Sequence, residues 1–254
     1  MQKSWIFAAV LAAFLALGTA RAETLRIGVE GAYPPFSSIT PSGELEGFDI
    51  DIANALCAEM DVECTLVAQD WDGIIPALLA KKYDAIIASM SITDERKQVV
   101  DFTDKYYQTP ARFAAAAGSQ FDFDSDLAGT KVGVQRATIH DNYITDNYPN
   151  AEIVRYGTQE EANLDLVAGR VDMLLADSMT LYEGFLQTED GAGFVFVGPE
   201  LSDPRWFGNG AGIAIRQGDD ELRERLNAAI QAIRESGTYD QIQSQYFDFD
   251  IYGS

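Results

Sequence analysis

The amino-acid sequence predicts an α/β protein with two lobes, each a mostly parallel sheet flanked by helices, joined by a two-strand hinge. Short apolar runs alternate with helix-like segments along the chain, a pattern that indicates βαβ units. The chain also contains an internal repeat: Leu25–Glu30 resembles Thr130–Gln135, and Leu79–Ser89 resembles Val167–Asp177. The repeat favours two similar lobes over one large domain.

In the first half, strands and helices follow one another in short segments. Leu25–Val29 is the first predicted strand, and the loop Gly31–Phe36 is stiffened by two prolines, which fix φ and remove backbone donors. A helix with an apolar stripe begins near Phe48, Cys64–Ala68 is the next strand, and a second helix covers Trp71–Leu79. This second helix starts at the carboxyl end of a strand, where open α/β sheets bind ligands.

A polar stretch follows the next predicted strand, Ala85–Ala88, and indicates an anion-binding turn. Ser89, Ser91 and Thr93 come at the carboxyl end of this strand. Thr93 is a good N-cap for a short helix, but Arg96 then falls in its first turn, where a cation opposes the helix dipole. A carboxylate held by Arg96, the serine hydroxyls and backbone N–H groups would resolve this conflict. The alternative interpretation is an exposed arginine that pairs with one of the two acidic residues before it.

The second half repeats this plan. After the strand that ends at Gln135, a helix is predicted to begin near Ile139, which makes a second candidate anion cradle. Thr158–Glu161 is a capping box for another helix. The strand Met173–Ala176 then delivers Asp177 to the carboxyl edge of the sheet.

The chain crosses between the halves twice. Asp101–Arg112 is predicted to be extended and to enter the second half, and Phe207–Ile215 is predicted to be a strand that returns to the first half. Helices are predicted over Asp219–Ser236 and Gly237–Phe247. The expected boundaries are lobe 1 at residues 23–109 and 204–254, lobe 2 at 112–200, and the hinge near 108–112 and 200–208. A ligand site is expected in the cleft between the lobes.

The N-terminus has the pattern of a cleaved export signal, residues 1–22. Lys3 supplies a positive start, Ile6–Leu17 is an apolar run too short to span a bilayer, and Ala20–Ala22 is a small-residue cleavage site. The mature chain is therefore expected to begin at Glu23 and to be exported as a soluble protein. An uncleaved anchor is the alternative.

Charge and cysteine content restrict the partners. The formal net charge of −22 disfavours nucleic acid and anionic membranes and is compatible with a cationic ligand. Cys57 and Cys64 are the only cysteines, which predicts one disulfide in an exported chain, with two buried free thiols as the alternative. Because two cysteines and the distant His140 do not make a tetrahedral set, no metal is expected, and no cofactor either.

Polar and aromatic residues at the ends of strands define the candidate site. Arg96 with the neighbouring serines suits a carboxylate and Asp177 suits an ammonium group, which are the two ends of an α-amino acid. Glu30 beside Trp71 suits a cationic side chain, through ion pairing and cation–π contact. The complete candidate set is Glu30, Tyr33, Trp71, Ser89, Ser91 and Arg96 from the first lobe and Thr138, Ile139 and Asp177 from the second.

Several of these residues also have a purely structural interpretation. Trp71 at a helix start can be part of the core, Glu30 can be a solvated strand end, and Tyr33 can pack against the two prolines that follow it. Asp177 has the stronger functional case, because an acid directly after three apolar residues needs a partner or water.

Five motifs together resemble those of a known family: Ala32–Phe36 (AYPPF), Gly47–Asp51 (GFDID), Ser89–Arg96 (SMSITDER), Gly133–Gln135 (GVQ) and Gly237–Asp240 (GTYD). The whole mature chain resembles periplasmic solute-binding proteins of the polar amino-acid ABC-transporter family (family 3). Within it, the chain is most similar to lysine/arginine/ornithine-, histidine- and arginine-binding members. The serine-rich run is the most specific motif, and the pair Cys57 and Cys64 matches a disulfide of the members that bind cationic amino acids.

The resemblance implies a type II periplasmic-binding-protein fold and a role for each site residue. Arg96 and the two serines would hold the α-carboxylate, and Asp177 the α-ammonium group. Trp71 and Tyr33 would sandwich the side chain, and Glu30 stands where members specific for cations carry an acid.

The chain departs from the family at the start of the second anion cradle. The family usually has Gly-Ser/Thr-Thr after Gly-Val-Gln-x, whereas this chain has Ala137, Thr138 and Ile139. The last threonine hydroxyl is therefore missing, and only the backbone N–H of Ile139 remains for a carboxylate. His140 follows at the same helix start and is expected to be exposed, with contact to a longer ligand as the alternative.

The function implied is the substrate receptor of an ABC importer for cationic L-amino acids, with arginine favoured over lysine, ornithine and histidine. The expected partners are the amino acid and the membrane permease, and the chain is expected to be a periplasmic monomer without enzymatic activity. Alternatives are a receptor for an opine-type arginine derivative, a ligand-sensing subunit, and an enzyme of the same fold similar to cyclohexadienyl dehydratases. The enzyme would need a catalytic acid, for which Glu30 and Asp177 are the candidates.

Overall fold

Two five-stranded sheets form the centre of the protein in the computed structural model, which describes residues 24–253. The predicted signal, residues 1–22, lies outside the described residues. The strands are β1 (Thr24–Val29), β2 (Ala32–Tyr33), β3 (Ser37–Ile39), β4 (Leu45–Glu46), β5 (Glu63–Ala68), β6 (Ala85–Ile86), β7 (Val100–Tyr107), β8 (Ala111–Ala116), β9 (Lys131–Gln135), β10 (Glu152–Tyr156), β11 (Met173–Asp177), β12 (Phe194–Leu201) and β13 (Ala211–Arg216). The sheet orders are β5-β1-β6-β13-β7 and β10-β9-β11-β8-β12, and β2, β3 and β4 form a small third sheet.

In each large sheet, four strands run in one direction and one runs against them. β1 pairs in parallel with β5 and β6, whereas β13 pairs antiparallel with β6 and β7. In the second sheet β9 pairs in parallel with β10 and β11, and β8 is the antiparallel strand between β11 and β12. The reversed strand is the one whose chain arrives from the other sheet. The predicted two-lobed, mostly parallel α/β fold is confirmed.

Helices cover both faces of each large sheet. They are α1 (Phe48–Glu59), α2 (Trp71–Leu79), α3 (Ile139–Asn147), α4 (Gln159–Val167), α5 (Ser178–Leu181), α6 (Pro204–Phe207), α7 (Asp220–Glu235) and α8 (Thr238–Gln243). Successive strand residues point to opposite faces, so Ile213 and Ile215 pack with α1 and α7 while Ala214 packs with α2. Each sheet therefore has two apolar cores. No helix among residues 24–253 has the length and apolar character needed to cross a bilayer.

Two local predictions from the sequence are confirmed. Cys57 in α1 and Cys64 in β5 form a disulfide that ties this helix to the edge of the first sheet. The capping box that opens α4 is present: the Thr158 hydroxyl accepts from the backbone N–H of Glu161 at 3.2 Å, and the Glu161 carboxylate accepts from the backbone N–H of Thr158.

Two predicted elements differ in the structure. The strand expected from Phe207 begins only at Ala211, because Asp203 caps α6 and Pro204 occupies its first position, so Phe207 ends a helix. The helix expected after Thr93 is a single 3₁₀ turn, Arg96–Gln98. This turn is too short to have a helix dipole of consequence, so the position of Arg96 is not in conflict with one.

Candidate functional site

The nine predicted site residues all line one cleft between the two large sheets. The cleft has an empty volume, its open mouth included, of about 590 Å³. Strand ends and helix starts supply its polar groups, as expected for the carboxyl edge of an open α/β sheet. Further lining residues are Ala88, Tyr107, Thr109, Ala111, Gln135, His140, Phe207, Gly210 and Ala211. The structure thus brings the nine residues together, and their contact with a ligand stays a prediction.

Arg96 supplies the positive charge of the cleft. One guanidinium N–H donates to the backbone oxygen of Ser91 at 3.0 Å, and the guanidinium lies 5.2 Å from the centre of the Trp71 ring. Within residues 24–253 Arg96 forms no ion pair, and its neighbour Asp94 pairs with Lys97 instead. The alternative of an exposed, salt-bridged arginine is therefore wrong. Burial lowers the pKa of Arg96 to about 10, so it stays protonated at neutral pH.

The start of α3 lies in the cleft wall and presents unpaired backbone donors. Thr138 is the N-cap: its hydroxyl accepts from the N–H of Asp141 at 3.2 Å and donates to the oxygen of Gln135 at 2.8 Å. Among the described residues no group accepts from the N–H of Ile139 or His140. A helix of nine residues with free N–H groups attracts an anion. The Thr138 hydroxyl is engaged in capping, so the backbone rather than this side chain is left for a ligand.

His140 is buried, and the expectation that it is exposed was wrong. Its side chain lines the cleft and is only 7% exposed, because α6 places the Phe207 ring against it with the ring centres 6.1 Å apart. Burial, together with the positive charge of Arg96, lowers the pKa of His140 to about 3. The cleft wall therefore contains a neutral imidazole, which has one donor and one acceptor.

Asp177 supplies a negative charge where β11 ends. One carboxylate oxygen accepts from the N–H of Met179 at 2.8 Å and of Thr180 at 3.4 Å, and the other accepts from the hydroxyl of Thr109. Asp177 thereby caps α5, which meets the expectation that this acid needs a partner. Burial still raises its pKa to about 6, because no cation pairs with it among residues 24–253.

Glu30 is the second acid of the cleft and is 7% exposed. Its carboxylate accepts a hydrogen bond from the side-chain amide of Gln135 on the opposite lobe. Burial raises the pKa of Glu30 to about 7; the bond from Gln135 lowers it, and nearby acids such as Asp49 and Asp70 raise it. Glu30 is therefore not a solvated strand end.

Two aromatic residues, Trp71 and Tyr33, line the cleft together with its polar groups. Trp71 starts α2 and is half-buried, and its indole N–H donates to the oxygen of Ala137 across the cleft at 3.0 Å. Tyr33 is buried, its ring stacks on Phe36 with centres 6.1 Å apart, and its hydroxyl accepts from the N–H of Asp177 at 3.4 Å. Both residues contact the other lobe as well as the cleft.

Ser89 is oriented differently from the expectation. Its hydroxyl donates to the carboxylate of Asp49 at 2.9 Å, so this proton is not free to bind a ligand carboxylate. Ser91 lines the cleft, and its hydroxyl has no hydrogen-bond partner in the described part of the chain. The structure therefore leaves Ser91, and not Ser89, as the hydroxyl donor beside Arg96.

The lobes touch each other at the rim of the cleft. Arg136 of lobe 2 pairs with Asp72 of lobe 1 at 2.5 Å, and the Asn142 amide donates to Glu95 at 3.3 Å. Both partners of the ion pair are about half exposed, so it contributes at most about 1 kcal/mol. At this rim the two lobes are in contact, and the bonds between them here are weak.

The predicted set of site residues leaves out four side chains that lie in or next to the cleft: Thr109, Gln135, His140 and Asp49. Gln135 belongs to one quoted motif and Asp49 to another, but neither motif indicates that the side chain points to the cleft. Thr109 lies in a crossing segment, whose conformation depends on both lobes. Among residues 24–253, no group of His, Cys, Asp and Glu is arranged to hold a metal ion.

The fold and the site together define a two-lobed solute-binding protein, with buried or partly buried charges of both signs in the cleft between the lobes. The family model for bacterial extracellular solute-binding proteins, family 3, matches residues 25–249. The chain belongs to this family.

Relatives with known roles are similar over nearly the whole chain. The L-arginine-binding protein of Pseudomonas aeruginosa is 54% identical over 258 aligned residues, covering 100% of both chains. The lysine/arginine/ornithine-binding periplasmic protein of Escherichia coli K12 is 43% identical over 91% of this chain and 90% of its own. Among solved structures, an arginine-specific periplasmic binding protein of Salmonella typhimurium superposes with a TM-score of 0.82. It is 34% identical and covers 89% of this chain and 100% of its own.

Proposed function

We propose that this protein binds a cationic L-amino acid, arginine foremost, and presents it to the permease of an ABC importer. The observation that carries the proposal is the distribution of charge in the cleft: partly buried Arg96 near the free N–H groups of α3, and partly buried Asp177 and buried Glu30 elsewhere in the same cleft. An arginine zwitterion carries one negative and two positive groups, which complement these three charges. Relatives named for binding arginine and lysine support the choice.

Each ligand group has a partner in this scheme. Arg96, the Ser91 hydroxyl and the N–H of Ile139 bind the α-carboxylate, and Asp177 binds the α-ammonium group. Glu30 pairs with the distal cation of the side chain, which lies between the rings of Trp71 and Tyr33. An ionised group that is buried without a partner costs several kcal/mol, so closure around a ligand of the wrong charge is unfavourable.

Closure is proposed to couple binding to transport. Lobe 1, residues 23–109 and 204–254, and lobe 2, residues 112–200, rotate about the segments near 108–112 and 200–208. The closed form is then recognised by the membrane permease. We infer a periplasmic monomer that acts by binding and not by catalysis, exported by cleavage after residue 22.

Calorimetric titration of the refolded, ligand-free mature protein tests the proposal. L-arginine, lysine, ornithine, histidine, glutamine and glutamate are titrated in turn. We expect binding confined to the cationic members, with micromolar or tighter affinity for arginine, about 8 kcal/mol or more. Tight binding of glutamine or glutamate would contradict the assignment of the side-chain pocket. Binding of none of them, followed by binding of an opine or by dehydration of prephenate, would replace the proposed function with one of its alternatives.

Arginine affinity is expected to depend on pH. The pKa of Glu30 is about 7 and that of Asp177 about 6 without ligand, and a bound cation favours their ionised forms and lowers both values. Affinity is therefore full above about pH 8 and falls as the pH decreases through 7 and 6, by at most about tenfold per unit for each group. Titrations near pH 6 in buffers of different ionisation enthalpy are expected to show proton release on binding. An affinity that stays constant from pH 8 to about 5 would contradict this linkage.

A further inference from the structure

Asp49 is a fully buried acid next to the cleft, and the binding scheme above gives it no part. It lies in the first turn of α1 and has no exposed surface. No cationic side chain in residues 24–253 pairs with it, so its only side-chain partners are two hydroxyl groups. Burial raises the pKa of Asp49 to about 7, and the bonds from Tyr106 and Ser89 lower it.

The hydrogen bonds around Asp49 are those of an ionised carboxylate that accepts from two hydroxyl groups. The backbone N–H of Ser89 donates to the Tyr106 hydroxyl at 3.0 Å, and that hydroxyl donates to one oxygen of Asp49 at 2.8 Å. The Ser89 hydroxyl donates to the other oxygen at 2.9 Å. Ser89 adopts a left-handed backbone conformation, φ +52°, which a serine rarely takes, and its own two bonds, to Tyr106 and to Asp49, hold it there.

A serine hydroxyl has one proton and two lone pairs. With its proton directed at Asp49, Ser89 presents lone pairs to the cleft that it lines. Asp177 and Glu30 both lie close enough to Asp49 for their charges to repel its own, so this part of the cleft is rich in carboxylates. The Ser89 oxygen is therefore an acceptor in the negative part of the cleft.

We propose that Asp49 is a positioning residue that makes Ser89 a hydrogen-bond acceptor for the α-ammonium group of the bound amino acid. This proposal rests on the proposed function and assigns Ser89 to the ammonium end of the ligand instead of the carboxylate end. Asp49 also places a buried carboxylate near Asp177, and an ammonium group in the cleft interacts favourably with the negative charge of both.

Asp49→Asn tests the proposal with a pair of ligands. An asparagine amide can donate to the Ser89 oxygen, which turns the hydroxyl proton toward the ammonium group and removes the acceptor. L-arginine is compared with 5-guanidinopentanoate, which has the carboxylate and the guanidinium but no α-ammonium group. We expect the Kd for arginine to rise roughly 10- to 100-fold, since bonds to charged groups are strong. The Kd for 5-guanidinopentanoate, measured by competition where it is weak, is expected to stay within about threefold.

Two further variants separate positioning from a loss of folding. Ser89→Ala removes the acceptor itself and is expected to give the same selective loss, with no additional loss in the double variant. Asp51→Asn is the matched control, since Asp51 lies in the same helix and accepts from the Tyr246 hydroxyl at 2.7 Å outside the cleft. It is expected to leave both Kd values unchanged. Equal losses for both ligands in Asp49→Asn and Ser89→Ala would overturn the proposal.

Carboxyl ¹³C NMR titration of Asp49 tests the proton direction without any ligand. If Ser89 donates to ionised Asp49, Ser89→Ala removes a stabilising donor and raises the pKa of Asp49. If Asp49 instead donates to Ser89, the same variant lowers that pKa, which would overturn the proposal. Failure of the wild-type protein to bind arginine would overturn the proposed function, whereas this titration would still decide whether Ser89 presents an acceptor.

Discussion

Replacing Arg96 with alanine is expected to abolish the binding of every α-amino acid, whatever its side chain. Arg96 is the partly buried cation of the cleft, near the free N–H groups of α3, and it makes no ion pair within residues 24–253. Its removal would leave a ligand carboxylate buried without a counter-charge. Truncating one partner of such a pair costs about 2–5 kcal/mol or more, which is a loss of roughly 30- to 5,000-fold in affinity. Calorimetric titration with arginine, lysine and ornithine measures this loss of affinity.

The control for this experiment is a neighbouring cation outside the cleft. Lys97 is the next residue, is about half exposed and pairs with Asp94, so Lys97→Ala is expected to leave affinity unchanged. Arg96→Lys keeps the charge but loses the planar guanidinium donors and the stacking on Trp71, and an intermediate loss is expected. Arginine binding by Arg96→Ala at near wild-type affinity would contradict the carboxylate assignment.

That the candidate residues meet in one cleft was predictable from the sequence, because the carboxyl ends of strands are local features. Glu30 follows β1, and Asp177 ends β11, so their placement requires only that apolar runs form parallel strands. Arg96 was predicted from a conflict with a helix dipole that the structure does not contain. Arg96 does line the cleft, but the support from the sequence is the serine-rich motif that ends in Arg96, and not that electrostatic argument.

What the sequence did not indicate depends on contacts between distant segments. His140 is buried because Phe207, 67 positions away in the chain, closes over it. The orientation of the Ser89 hydroxyl is set by Asp49 and Tyr106, which come from α1 and β7. No periodicity carries such information, since the local pattern of a strand end is the same whether its serine donates or accepts.

Replacing Glu30 is the second change with a large expected effect on affinity, and the loss is expected only for ligands with a cationic side chain. Glu30→Gln has nearly the same shape and keeps an oxygen that accepts from Gln135, but it removes the charge that pairs with a cationic side chain. Losing a hydrogen bond between charged groups is expected to weaken arginine, lysine and ornithine binding roughly 10- to 150-fold. Glutamine binding is expected to stay constant or to improve, because the ionised carboxylate would no longer be buried without a partner. The measurement is the ratio of arginine to glutamine affinity.

The pH profile distinguishes this assignment from a general weakening of the site. With Glu30 replaced, the decline of arginine affinity near pH 7 is expected to disappear, and only the decline from Asp177, near pH 6, to remain. Glu160→Gln is the matched control, because Glu160 is exposed and raises the pKa of Glu30 without lining the cleft. It is expected to keep the selectivity for cations and to lower the pKa of Glu30. If Glu30→Gln binds arginine as well as the wild-type protein does, the cation in the ligand is held elsewhere, and the side-chain pocket must be assigned anew.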